Sequence, residues 1–275
     1  MSYKILIVGH GFVGKAVDYG FSHPDVLKTI VDPVYGTDIN DIDVLGYDCI
    51  FVCVPTPMGS NSNIDASIID TVLRGLKGVP YHVPIIIKST VTPDIIKKIA
   101  NSQLNVVYNP EFLTEKSANE QFASPQFHIL GGLTSITRVV EGVYEKYSLC
   151  DPCPVLHMTA EEASLVKYTI NSYLAMKVTF FNQLYDTISN TDANFSTVIK
   201  AVGMDKRIGP SHSKVPGFDG KAGFGGACFP KDTSAFVSYS ECLTLLAECV
   251  KINNNYRSGY DRDTREKEQN IVYNG

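Results

Sequence analysis

A strand, a glycine-spaced turn and a helix near the start of this chain constrain its fold more than any other feature. Residues 4–8 form a short apolar run suited to a buried parallel strand. Gly9-His10-Gly11-Phe12-Val13-Gly14 follows at once, and residues 15–21 can continue as a helix. In this context the first glycine makes the turn and the second clears room for a pyrophosphate at the helix N-terminus. The third lets helix and strand pack closely. Gly9, Gly11, Phe12, Val13 and Gly14 are therefore candidate cofactor contacts. A second strand over 29–31 ends at Asp32, about twenty residues past the glycines. An acid there accepts both ribose hydroxyls of an adenosine and repels a 2′-phosphate, so NAD is expected over NADP.

Residues 49–54, 85–87, 105–108 and 127–131 read as further strands, with helices between them, including 135–147. Strands alternating with helices imply a doubly wound parallel sheet of Rossmann type, an α/β fold. Ligands bind such sheets at the carboxyl ends of the strands, where Thr56, Ser89, Thr90 and Glu111 collect. Singly, each also reads as a helix cap or turn residue. Cys150-Asp151-Pro152-Cys153 has no second pair to complete a zinc site and reads as a surface turn. No metal is expected.

Residues 159–189 are the longest helical pattern, opened by a capping box at Thr159 and Glu162. At 1.5 Å per residue such a helix spans roughly 45 Å, more than one domain surface needs. Ala163, Val166, Ile170, Leu174 and Val178 form its apolar stripe, with Lys167 and Asn171 one turn apart on a neighbouring face. On spacing alone those two read as a solvated lysine and a tolerated polar residue. The apolar excess points to a second copy of the chain, so a homodimer is expected. The expected layout is a dinucleotide-binding domain over 1–157, a helical dimerisation domain over 158–256 and a charged, loosely held tail over 257–275.

A short helix is expected near 197–202, and Arg207-Ile208-Gly209-Pro210 opens a long loop. That loop runs into Gly223-Phe224-Gly225-Gly226-Ala227-Cys228-Phe229-Pro230-Lys231-Asp232. The glycines bring Cys228 to a point where a helix begins, with Pro230 in its first turn. A thiol beside a helix N-terminus and Lys231 is pushed toward thiolate, and Asp232 projects from the same side one turn later. A glycine turn, a small buried cysteine and a capping aspartate explain the same residues equally well. One helix is expected to cover 233–253.

The seven cysteines are odd in number and scattered, unlike a disulfide framework, and the first apolar run is too short for a signal peptide. Nor does any stretch reach the length of a membrane span, so a cytoplasmic protein is expected. The formal net charge of −5 argues against nucleic-acid and anionic-membrane partners.

Together these pieces resemble the UDP-glucose/GDP-mannose dehydrogenase family, most of all its UDP-glucose-oxidising branch. The resemblance rests on Gly9 to Gly14, Val54-Pro55-Thr56-Pro57, Lys88-Ser89-Thr90, Asn109-Pro110-Glu111-Phe112-Leu113-Thr114-Glu115, Lys167 to Asn171, and Gly225 to Asp232. It covers almost the whole chain. The cysteine segment and the Pro-Glu-Phe-Leu-x-Glu segment are specific, whereas the glycine fingerprint is not. It implies a four-electron oxidation of the sugar C6 alcohol of UDP-glucose to a carboxylate with two NAD, through a thiohemiacetal and thioester on Cys228. Lys167 would supply charge and Asn171 a donor to the developing oxyanion. Asp232 and Glu115 would assist proton transfer, and Thr90 would orient water. Asp32, Thr56, Thr90 and Glu115 would hold the cofactor. Glu111, Phe112, Leu113, Lys167, Asn171, Arg207, Phe224, Gly225 and Lys231 would contact the substrate, Arg207 across a dimer interface.

Family members usually continue into a second Rossmann-like domain that closes over the nucleotide. This sequence stops near the point where that domain would begin, and its Arg207–Cys228 loop is longer than in the shortest members. Three other readings remain open. The same chemistry could act on GDP-mannose or a UDP-N-acetylhexosamine, although Glu115 favours the glucose branch. The chain could be a non-catalytic NAD-binding dimeric module. It could also be a two-electron hydroxyacid dehydrogenase, which needs no cysteine.

Overall fold

The computed structural model describes residues 2–101, 105–114 and 117–274. In chain order the elements are β1 (Tyr3–Val8), α1 (Phe12–Gly20), β2 (Val26–Val31), β3 (Cys49–Val52), α2 (Ser67–Gly75) and β4 (Ile85–Ile87). Next come α3 (Pro93–Ala100), β5 (Val106–Tyr108), α4 (Ala118–Ala123), β6 (His128–Gly131), α5 (Thr134–Tyr147) and β7 (Val155–Met158). The last are α6 (Ala160–Ser189), α7 (Phe195–Met204), α8 (Phe229–Tyr239), α9 (Thr244–Arg257) and α10 (Thr264–Glu268). The chain divides into two compact units. One is Met1–Thr56 with Asp65–Lys167, and the other is Pro57–Ile64 with Tyr168–Gly275.

The first unit carries a seven-stranded sheet in the order β2-β1-β3-β4-β5-β6-β7. Both faces of its central strands are buried, which is why β3, β4 and β5 are apolar throughout instead of alternating. Leu6, Val8, Ile50, Val52, Ile85 and Ile87 pack into one core. Ile5, Ile7, Cys49, Phe51, Ile86 and Val107 pack into the other. All pairings are parallel except β5 with β6, which meet antiparallel at Tyr108 and Gly131. The sequence reading expected neither that reversal nor β7, whose four residues are too few to show a period. Register aligns Val8 with Val31 and Val52, Val52 with Ile87, and Ile87 with Tyr108. The residues that follow these strands, Gly9, Asp32, Cys53, Lys88 and Asn109, therefore lie along one edge. Strand order reverses at β1, with β2 on one side and β3 on the other, and a ligand crevice forms where that happens.

The Thr159 amide donates to Glu162 Oε2 at 2.7 Å and the Glu162 amide to Thr159 Oγ1 at 3.2 Å, so the capping box opens α6 as its sequence predicts. Of the predicted stripe, however, only Ala163 is fully buried. Val166, Ile170, Leu174 and Val178 are only half-buried. The buried face is Ala163, Ser164, Lys167, Tyr168, Asn171, Ser172, Ala175 and Thr179. Small and polar residues hold it, and a count of apolar side chains overlooks them.

In the second unit, the single helix expected over 233–253 is two. Ser240 is extended (φ −146°, ψ 119°) and its hydroxyl accepts the Cys242 amide at 3.4 Å, a local bond that competes with helix continuation. The tail expected to be loose is packed, with Arg257, Glu266 and Ile271 almost fully buried. Pro57–Ile64 forms a small hairpin through the Met58–Ile64 bridge, and its Met58 amide donates to the Gln269 carbonyl at 3.0 Å. Among the described residues, no helix is long and apolar enough to cross a membrane.

Candidate active site

At the crevice beside β1 the glycines differ in what they do. Gly9 has φ +89°, and a Cβ there would lie 2.7 Å from the Cys53 carbonyl oxygen. A Cβ on Gly14 would lie 2.0 Å from the Gly9 carbonyl oxygen, so this position too is closed to any side chain. At Gly11 a Cβ would meet nothing within 4 Å, and no side chain caps the first turn of α1. Phe12 and Val13 begin that turn. An open, uncapped helix N-terminus of this kind attracts phosphate.

Asp32 is held beside it. Its two carboxylate oxygens accept the His10 amide at 2.6 Å and the Val34 amide at 2.9 Å. A carboxylate has about four acceptor positions, so capacity remains for ribose hydroxyls. Open space over Gly11, a bare helix end and an oriented acid together fit a dinucleotide.

Further along the edge, Thr56 Oγ1 donates to the Thr90 carbonyl at 2.8 Å, and Ser89 Oγ donates to the Val54 carbonyl at 2.7 Å. Lys88, 3% exposed, pairs with Glu111 at 2.9 Å and donates to Asn109 Oδ1 at 3.0 Å. Tyr144 donates to the same Asn109 oxygen at 2.7 Å. Lys167 Nζ donates to the Glu111 carbonyl and lies 5.1 Å from the centre of the Phe112 ring. Lys167 is thus a buried cation bound to the Glu111 loop, and the solvated alternative is excluded. Burial dominates the ionisation of the neighbouring groups. It pushes the Cys53 thiol up to about 12 and, together with the Lys88 charge, pushes His128 down to about 4. The Lys88–Glu111 pair is therefore ringed by groups that stay neutral. Phe112 and Leu113 pack on the two cores.

In the second unit, Cys228 is the N-cap of α8 and is exposed, with Pro230 in the first turn. The Asp232 amide donates to the Cys228 carbonyl at 2.8 Å. Asp232 itself is 1% exposed. Asn171 Nδ2 reaches its Oδ2 at 2.6 Å and Lys231 Nζ its Oδ1 at 2.7 Å. An accessible sulfur thus sits one turn from a buried carboxylate whose two oxygens are each held by a donor, and the reading of Cys228 as a small buried cysteine fails.

Not every candidate joins these groups. Arg207 is exposed and bound through Nε and Nη2 to Asp205, at 3.0 and 2.6 Å. Phe224 is buried, its amide and carbonyl both held by the Asn253 side chain. Gly225 leaves room for Arg257, whose Nη2 would lie 2.1 Å from a Cβ there. Glu115 falls outside the described residues. The Cys150–Cys153 segment lies at the surface, with Asp151 and Pro152 exposed, but Cys150 itself is half-buried. Its Sγ donates to the Phe122 carbonyl at 3.0 Å, and burial pushes the thiol up to about 11.

Sequence reasoning gave no role to Lys88 or Asn109. Their direct placement after β4 and β5, on the edge that already held Ser89 and Glu111, was the available signal. It also overlooked Asn253, Arg257 and Glu266, for which the sequence offered none.

Residues 34–148 match the NAD binding domain of the UDP-glucose/GDP-mannose dehydrogenase family, and residues 161–255 match its central domain. The UDP-glucose 6-dehydrogenase of Campylobacter jejuni is 30% identical over 98% of this chain and 76% of its own length. That of Rhizobium meliloti is 31% identical over 82% of this chain, and the chain spans only 54% of that relative's length. The structure of a UDP-glucose dehydrogenase from the archaeon Pyrobaculum islandicum superposes with a TM-score of 0.78 at 26% identity. That match covers 93% of this chain and 68% of the other.

Proposed function

The chain belongs to the UDP-glucose/GDP-mannose dehydrogenase family, and on that premise we propose that it oxidises UDP-glucose to UDP-glucuronate with NAD. The observation that carries this reading is Cys228, exposed at the α8 N-cap one turn from a buried carboxylate held by Asn171 and Lys231.

When bound, NAD would supply the oxidant: two molecules in succession, each accepting one hydride, the first from C6 of the alcohol to leave the aldehyde. The turn from Gly9 through Gly11, Phe12, Val13 and Gly14 would seat its pyrophosphate and Asp32 its ribose, with Thr56, Thr90 and Glu115 as further contacts. Lys167 supplies positive charge and Asn171 a hydrogen bond where the C6 alkoxide develops. The Cys228 sulfur then adds to the aldehyde carbon and the oxygen takes a proton, giving a thiohemiacetal. Loss of a hydride from that carbon and of the hydroxyl proton leaves a thioester. Water oriented by Thr90 attacks it with Asp232 and Glu115 assisting proton transfer. The carbon–sulfur bond breaks, releasing the carboxylate and restoring the thiol. This cycle needs a reduced thiol, which suits the cytoplasm.

Glu111, Phe112, Leu113, Phe224, Gly225 and Lys231 are the proposed substrate contacts. Arg207 would join them from a second copy of the chain. For such a homodimer the support is α6, which leaves Val166, Ile170, Leu174 and Val178 half-covered and exposes Tyr173 and Phe180.

The test is NADH formed per UDP-glucose consumed, in the wild type and in Cys228→Ser. Two NADH per sugar in the wild type, lost in the variant, is the expected result. Oxidation of GDP-mannose or a UDP-N-acetylhexosamine instead would move the substrate assignment within the family. NAD binding without turnover of any nucleotide sugar would overturn the enzyme and leave a binding module.

A further inference from the structure

The last part of the loop that leads into Cys228, from Asp219 to Gly226, is tied down by residues from distant parts of the second unit. Arg257 Nη1 holds Asp219 at 2.7 Å, and Lys221 Nζ donates to the Asp261 carbonyl. The Ala222 amide reaches the Tyr260 hydroxyl at 3.4 Å and the Gly223 amide reaches Asn182 Oδ1 at 2.9 Å. Asn253 clasps Phe224 from both sides, accepting from its amide at 2.6 Å and donating to its carbonyl at 3.0 Å. The Gly226 amide, two residues before the cysteine, donates to Glu266 Oε1 at 3.0 Å.

Glu266 is the node of this arrangement. It is fully buried, and the same Oε1 also accepts from Arg257 Nη2 at 2.9 Å and from the Tyr273 hydroxyl at 2.7 Å. Its Oε2 accepts the Asp263 amide at 3.0 Å, closing a capping box that fixes α10. Arg257 is 1% exposed and fills the space that a side chain at Gly225 would occupy. A buried arginine and a buried glutamate are kept charged at considerable desolvation cost. Each bonds the other and this loop, and Glu266 is further held by Tyr273 and the Asp263 amide. Stability alone would be served as well by apolar residues of similar volume. What the charged pair adds is a fixed position for the Gly226 amide, immediately before the helix on which Cys228 sits.

We propose that Glu266 and Arg257 are positioning residues for Cys228, acting through the Gly223–Gly226 backbone to hold the sulfur at the N-terminus of α8. This rests on the reading of Cys228 as the nucleophile, and deepens it by naming what keeps the nucleophile in place. A thiol held at a helix N-terminus gains reactivity that a displaced one loses.

The experiment uses the full chain and needs no nucleotide sugar, so it stands apart from the assignment of the reaction. Iodoacetamide alkylation of Cys228 is followed by mass spectrometry across a pH series in the wild type, Glu266→Gln and Glu266→Asp. Exposed Cys242 on the same unit serves as the internal reference. In Glu266→Gln, the expected result is about two- to fivefold slower alkylation of Cys228 at neutral pH, the size of a helix-terminus interaction. Its pH midpoint moves upward, Cys242 is unchanged, and Glu266→Asp recovers part of the loss. Should Glu266→Gln fail to fold, Asp219→Asn severs a more exposed limb of the same brace and is read the same way. A folded variant in which Cys228 keeps its wild-type profile would overturn the proposal. So would equal changes at Cys228 and Cys242, which mark general loosening.

Discussion

Residues 9–14, from the end of β1 into the first turn of α1, take their shape from close backbone contacts, Gly9 against Cys53 just past β3 and Gly14 against Gly9 itself. Residues 223–226, ahead of α8, are instead held by side chains 29 to 41 residues away. Both stretches are glycine-rich, and both lead into a helix whose first residue or cap carries a proposed function. In the first, glycine is required because there is no room beside a neighbouring backbone. In the second, glycine clears the way for an arginine and exposes amides for side chains to hold. A backbone contact can be satisfied by glycine alone, whereas a side-chain brace also depends on its distant partner.

The largest test of that distinction is Gly14→Ala. The new methyl would stand 2.0 Å from a carbonyl oxygen, and no rotamer change can move a backbone atom aside. We expect a loss of more than about 3 kcal/mol, at the upper end of overpacking penalties, seen as a lower urea midpoint together with loss of NAD binding. Gly225→Ala sharpens the comparison. Its methyl meets the end of a flexible side chain, 2.1 Å from Arg257 Nη2, but that side chain is pinned by Asp219 and Glu266. The expected cost is smaller, about 2 kcal/mol, with the damage confined to alkylation of Cys228 and with NAD affinity retained. Equal losses of NAD binding in the two variants would erase the distinction.

The two regions also differ in how acid should reach them. Burial alone would raise the Glu266 carboxyl, but hydrogen bonds from Tyr273, Asp263 and Gly226 and the Arg257 charge hold it below its ordinary value. Asp219 is likewise lowered: burial would raise it, but the Arg257 hydrogen bond and charge, with backbone hydrogen bonds from Lys221 and Asp219, together outweigh burial. For carboxylates depressed in the folded state, the stabilisation is complete above the ordinary value and is lost as pH falls through the lower folded one. In the first unit the relevant group is His128, pushed down to about 4 by burial. The unfolded chain takes up that proton near pH 6.5 while the folded chain refuses it, so stability declines as pH drops from about 6.5 to about 4. Hydrogen exchange should therefore rise at β6 in mildly acidic buffer and at residues 223–226 only below about pH 4.5. His128→Asn should abolish the rise at β6 and leave the one at 223–226 in place. Both regions loosening over one pH range would refute this ordering.

The same contrast explains what could be read from the sequence. The strand, turn and helix around Gly9 are contiguous, and Asp32 follows at a fixed distance, so the dinucleotide end was legible. Cys228 at a helix start was legible for the same reason, because Pro230 and the glycines are its neighbours. Spacing alone reads Lys167 as solvated because the face that buries it holds Ser164, Ser172 and Ala175, residues that do not stand out as core. Arg257 and Glu266 look like members of a charged tail. Only the folded chain brings Asp219, Gly226 and Tyr273 to them. Pairing between ions distant in sequence leaves no period to detect.

Gly11→Ala is the smallest perturbation and the most selective. Gly11 has φ −72°, an ordinary value for alanine, and its added methyl would touch no protein atom within 4 Å. Alanine is a poorer N-cap than glycine, so stability should fall by no more than about 1 kcal/mol. The open space over the end of α1 is nevertheless the proposed pyrophosphate site, and a methyl there would exclude that group. NAD affinity should fall at least about tenfold by fluorescence titration, the cost of one lost phosphate contact, while the urea midpoint hardly moves. Gly14→Ala would thus remove binding by disturbing the fold, and Gly11→Ala by occupying the site. If Gly11→Ala bound NAD as the wild type does, the space above Gly11 would not be the pyrophosphate site. The first glycine loop would then be a packing device alone, and its contrast with the braced loop before Cys228 would lose its functional meaning.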